Sequence, residues 1–165
     1  MKNAKNALNP LEIGELAENI LLLIRLHREN KLHERVVRQV IKGACWWVSN
    51  KQGKKDKCAL WSKAARQIRI EREVWDAQLG LIHEHLVPRN VIEEQIMNLN
   101  LPTADAVGFL LALSTVCVVT KEEDEALRKD GLRNNMTAQW KPGDDLFARY
   151  KAVGIALEPR TAIGD

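Results

Sequence analysis

Two apolar stripes near the start of the chain constrain its fold more than any other feature. Ile13, Leu16, Ile20, Leu23, Ile24 and His27 recur at spacings of three and four, the period of one helix face, and predict a helix over about 10–29. Asn9-Pro10 stands at its start, pairing a capping oxygen with a residue whose φ is preset for the first turn. Leu32, Val36, Val40, Ala44 and Trp47, widened by Val37, Ile41 and Val48, predict a second helix over about 32–51. Only Glu29-Asn30-Lys31 separates the two, and so short a connection makes them an antiparallel pair.

Beyond a polar, glycine-bearing loop at 51–57, Leu60, Trp61, Ala64, Ala65, Ile68 and Trp75 supply a third helical stripe. Gly80 marks a change. The string Leu81-Ile82-His83-Glu84-His85-Leu86-Val87 alternates and is closed by Pro88, so it reads as extended. Helices are predicted over about 89–98, 104–114, 121–129 and 145–153, the last capped by Asp144 or Asp145. Val116-Cys117-Val118-Val119 is the most strand-like run, and Thr120 with Glu123 after it forms a capping box, with Gly131 ending the helix that follows. The fold class expected is mostly α (α+β): about six helices and a minimal two-strand sheet in a single domain, 1–165. Within it, 1–79 is a basic helical half, 80–157 an acidic α+β half and 158–165 a tail.

No purely apolar run exceeds five residues, so nothing here reaches the roughly 20 needed for a membrane span. Glu12, Glu15 and Glu18 interrupt any secretory core after the first lysines, and a cytoplasmic location is expected. The cysteines, Cys45, Cys58 and Cys117, are odd in number and form no Cys-x-x-Cys pair, which argues against a disulfide scaffold or a zinc ribbon. The net charge of +3 conceals an asymmetry: residues 1–80 carry +7 and residues 81–165 carry −4. Residues 31–72 alone hold 12 basic side chains against 3 acidic ones, which makes that segment the candidate for an anionic partner.

Trp46, Trp47 and Trp61 lie among those cations. Lys51, Lys54, Lys55, Lys57, Lys63, Arg66 and Arg69 are the candidate nucleic-acid-binding residues, since cations take phosphates and indoles take unstacked bases. The competing reading places Trp47 and Trp61 on apolar stripes, in the core or at a subunit interface, and leaves the charges solvated.

In an extended segment His83 and His85 share a face, and two imidazoles at that spacing can hold one divalent metal; no other cofactor is implied. Glu84-His85-Leu86-Val87-Pro88 resembles the Asp-His-Ile-Val-Pro centre of HNH-type nucleases. That resemblance implies a metal-binding carboxylate at Glu84 and a general base at His85. The family's later histidine has no counterpart, because no histidine follows His85. The competing reading makes these histidines structural, bonding backbone or carboxylates at the start of a helix.

Val118-Val119-Thr120-Lys121-Glu122-Glu123-Asp124, Gly131-Leu132-Arg133-Asn134-Asn135-Met136 and Phe147-Ala148-Arg149-Tyr150 form a further block. Together with the Glu-His-x-x-Pro string, it is similar to a block in small uncharacterised bacterial proteins carried on mobile elements. The resemblance implies that the string and the block belong to one architecture, and it transfers no catalytic residue. The acidic cluster at 122–125 sits where a helix dipole favours carboxylates, a reading favoured over a metal site, and Arg149-Tyr150 is expected to pair with Asp144 or Asp145 rather than to bind a phosphate. The consecutive apolar residues at 20–24 exceed the needs of one helix face, and a homodimer through helix 10–29 is expected. The function expected is a non-enzymatic binding or accessory protein that contacts nucleic acid. The alternatives are a divergent HNH-like metal-dependent nuclease and a toxin or antitoxin component.

Overall fold

Asn9 and Pro10 start the first helix as their chemistry predicts: the Asn9 side chain accepts from the Leu11 amide at 3.1 Å and Pro10 opens α1 (Pro10–Arg28). The computed structural model describes residues 9–51, 58–71 and 79–159 of the chain. Asn30, at a φ of 57°, ends α1 in the left-handed region. It turns the chain into α2 (Glu34–Lys51), completing the expected helical pair. Helices α4 (Arg89–Met97) and α5 (Ala104–Ala112) pack against this pair. Ile20, Ile24, Val37, Ile41, Ile92, Ile96 and Leu111 form the centre of that helical core.

The sheet is larger than expected, with four strands among the described residues in the order β2-β3-β1-β4. Its first strand corrects the helix expected from Leu60 onward. Leu60–Ser62 is β1, and α3 (Lys63–Glu71) starts only after it, with the Ser62 hydroxyl accepting from the Ala65 amide at 3.0 Å. Three residues are too few for periods of 2.0 and 3.6 to diverge, so the stripe could not separate strand from helix. Trp75 and residues 52–57 lie outside the described residues. Because β1 joins this sheet, residues 1–79 are not a purely helical half.

β2 (Leu81–His85) runs antiparallel to β3 (Val116–Thr120), and β3 runs parallel to β1. Every residue of β3 is buried, as befits a strand covered on both faces. Val116 and Val118 face Trp61 and Ala65, while Cys117 and Val119 face Leu127 and Tyr150. The capping box starts α6 (Lys121–Lys129): Glu123 N–H donates to Thr120 Oγ1 at 3.2 Å and Thr120 N–H to Glu123 Oε2 at 2.9 Å.

The last helix, α7 (Ala148–Ala152), is five residues long, shorter than the expected 145–153. Neither aspartate caps it. Asp145 accepts from the Phe147 amide at 2.9 Å and Asp144 from the Lys141 amide at 2.7 Å, so both shape the preceding turn. The expected tail begins in structure instead: β4 (Leu157–Pro159) pairs with β1 at the sheet edge.

Ile20, Leu21 and Ile24 are buried within the chain and Leu23 packs on its core, which accounts for most of the apolar surplus on α1. Leu11 and Leu22 are its exposed large apolar residues, and an α1-mediated dimer would rest on them. No helix among the described residues is long and apolar enough to cross a membrane.

Candidate functional site

Cross-strand register decides where the His-Glu-His segment points. His83 lies opposite Val118 and His85 opposite Val116, so both histidines share the face of those valines, as an extended segment requires. Glu84 lies opposite Cys117 and faces α7. There the Arg149 guanidinium, fully buried, meets the Glu84 carboxylate at 2.6 Å. Arg149 therefore pairs with Glu84 across the sequence; the expected partner Asp145 binds Lys151 at 2.6 Å instead.

Arg149 also donates to the carbonyls of Leu86 at 3.1 Å, Leu132 at 2.7 Å and Arg133 at 3.0 Å, and to that of His85. The Tyr150 hydroxyl accepts from Arg149 at 2.9 Å and donates to the His85 carbonyl at 3.0 Å. One buried cation thus ties the end of β2, the loop after α6 and α7 into a single rigid corner.

That corner forms one wall of a cleft of about 700 Å³. The facing wall is α2, where Gln39, Lys42, Gly43 and Trp46 follow one another at helical spacing along one stripe. Pro88, Arg89 and Asn90 enter from the start of α4, and Arg133 and Asn134 from the loop after α6. Asn90 fastens that loop, its Nδ2 donating to the Asn134 carbonyl at 2.7 Å. Glu84 and His85 complete the lining. His85 bridges the two walls, its Nε2 standing 3.3 Å from the Ser49 hydroxyl of α2.

Among the described residues, the lining carries Lys42, Arg89 and Arg133 and the carboxylate of Glu84. Burial pushes that carboxyl upward, opposed by the adjoining Arg149. Lys42 is half exposed and shares Glu93 with Arg38, at 3.2 Å and 2.7 Å, so two cations draw on one carboxylate. Arg133 is half exposed and lies 3.4 Å from Asp124. Arg89 forms no ion pair among the described residues. Burial, followed by the charges of Arg89, Arg149 and His83, lowers the His85 pKa to about 4 and keeps its imidazole neutral at physiological pH. The cleft is consequently cationic.

The expected nucleic-acid residues are not gathered in this way. Lys51 lies 3.4 Å from Glu12 and stacks over Trp47, while Lys63 and Arg66 reach Glu158 at 3.2 Å and 3.7 Å. Arg69 is half-buried on α3, and Lys54, Lys55 and Lys57 lie outside the described residues. Of the tryptophans at 46, 47 and 61, Trp61 is buried and its Nε1 donates to the Cys58 carbonyl at 2.9 Å. Trp47 packs against the helical core, and Trp46 is 55% exposed in the cleft.

Among the described residues, His83, Glu84 and His85 do not converge as metal ligands. His83 is exposed, His85 is directed to Ser49 and Glu84 to Arg149. No group of three His, Cys, Asp or Glu residues among the described residues comes together as ligands. Gln39, Gly43, Arg89, Asn90, Arg133 and Asn134 were not singled out by the sequence. The helical stripe on α2 could have found the first two, but local spacing carries no signal for the others. Comparison with family models, curated proteins and solved structures finds no match for this chain.

Proposed function

We propose that this protein is a non-enzymatic nucleic-acid-binding protein, an accessory protein of the bacterial mobile-element kind, whose contact surface is the cleft between α2 and the β2–α4 corner. The observation that carries the reading is the convergence of Lys42, Arg89 and Arg133, from three separate segments, on one cleft that also holds exposed Trp46. Half-exposed cations attract phosphates and release counterions, while amide side chains and an indole suit bases.

The nuclease reading draws on Glu84 and His85 sharing this cleft. It asks for a metal-binding carboxylate and a base, whereas Glu84 is held by Arg149 and His85, with a pKa of about 4, is a weak base at neutral pH.

Anisotropy of a labelled single-stranded oligonucleotide, titrated at several salt concentrations, tests the proposal. Three phosphate contacts predict affinity falling about 20-fold between 50 and 200 mM salt, and Arg89→Ala should flatten the log–log slope by about 0.7. Absence of salt-dependent binding contradicts the proposal. Cleavage of the probe on adding magnesium or manganese, lost in His85→Ala, contradicts its non-enzymatic part.

A further inference from the structure

Resting on that reading, we infer that the nucleic acid continues past the cleft along α2, over a second recess lined by His33, Arg35 and Arg38, so that the protein takes an oligonucleotide chain rather than a single nucleotide. Continuity is the first argument. Gln39 and Lys42 line both the cleft and this recess, so the two adjoin along α2. Arg35, Gln39 and Lys42 stand at i, i+4 and i+7, on one face of the helix. From Arg35 to Lys42 the helix axis advances about 10 Å. One strand of a stacked nucleic acid presents about three phosphates over that length.

Charge is the second argument. Arg35 is exposed and forms no ion pair among the described residues. Arg38 and Lys42 meet Glu93 at 2.7 Å and 3.2 Å, yet Glu93 is only 4% exposed while the two cations keep 33% and 49% of their side-chain surface in solvent. The carboxylate lies beneath, and the cations face outward. Glu34, the carboxylate that lines the recess, is held by Arg38 at 2.5 Å.

Arg35 in the recess and Arg89 in the cleft are thus two cations, on separate elements, that no carboxylate engages among the described residues. Only a ligand whose phosphates are spread along its length can meet both at once. A nucleic-acid chain has that form and a nucleoside monophosphate does not.

The test titrates labelled four- and twelve-nucleotide oligodeoxythymidylate strands into the full chain at several salt concentrations. The shorter strand has three internucleotide phosphates, enough for the cleft, and the longer one also reaches Arg35. The longer strand is expected to bind about tenfold tighter, with a steeper log–log salt slope. Arg35→Glu should remove most of that gain and leave the four-nucleotide strand within about twofold of wild type. Arg35→Ala should flatten the longer strand's slope by about 0.7. Because Arg35 is exposed and outside any ion pair, both variants should keep the wild-type melting temperature by circular dichroism. If both bind the longer strand as wild type does, while Arg89→Ala still weakens it, this inference is overturned and the cleft reading stands. No salt-dependent binding to either strand overturns both.

Discussion

His85 occupies a position where one proton should have a measurable effect. Its imidazole is half-buried at the seam between α2 and β2, facing Ser49 on one side and the charges of Arg89, Arg149 and His83 on others. The folded chain holds its pKa near 4 against an ordinary 6.5, so the unfolded chain takes up the proton first as pH falls. The stabilising contribution is complete above pH 6.5, declines between 6.5 and 4, and is gone below that; the shift is worth about 3 kcal/mol. Urea unfolding of wild type and His85→Gln from pH 7 to pH 4 should show the variant losing about 3 kcal/mol less. Parallel profiles would contradict this account of His85. The neutral state of His85 was not legible in the sequence, because its causes lie on α2, α4 and α7. Its sharing a face with His83 was legible, because strand period alone fixes it.

Among the elements, those whose signals are local were predicted and those whose signals are distant were not. Asn9-Pro10 before α1 and Thr120 with Glu123 at the start of α6 place hydrogen-bonding groups within a few residues, and both caps form. β1 and β4 are three residues each and exist by pairing with one another, with β1 also held by β3, so no local pattern announced them. α7 lies within the helix expected over 145–153, but the pairing of its Arg149 is distant, reaching Glu84 65 residues earlier. Removing that guanidinium would leave a part-buried carboxylate and the carbonyls of Leu86, Leu132 and Arg133 without this donor, the His85 carbonyl keeping its bond from Tyr150. Arg149→Ala is therefore expected to lower unfolding stability by about 3–5 kcal/mol, read as a shift in urea midpoint. A change below about 1 kcal/mol would show that the corner holds without it.

At the scale of the whole molecule, the sequence split into a basic and an acidic part, and the structure does not keep them apart. β1 from the basic part lies between β3 and β4 of the acidic part. Likewise the cleft takes Lys42 from the first and Arg89 and Arg133 from the second. Charge along the chain pointed to residues 31–72, of which Lys42 lines the cleft while Lys51, Lys63 and Arg66 lie outside its lining. Charge in space points to a different surface, because the fold brings together cations that are dispersed in sequence. The central claim is that nucleic acid meets this protein at the cleft. The most direct test is a two-dimensional ¹⁵N–¹H NMR spectrum of the protein with and without a short single-stranded oligonucleotide. The account predicts shifts concentrated at the Gly43 amide, the Trp46 indole N–H and the side-chain amides of Asn90 and Asn134; shifts confined to residues 51–69, with these signals unmoved, would contradict it.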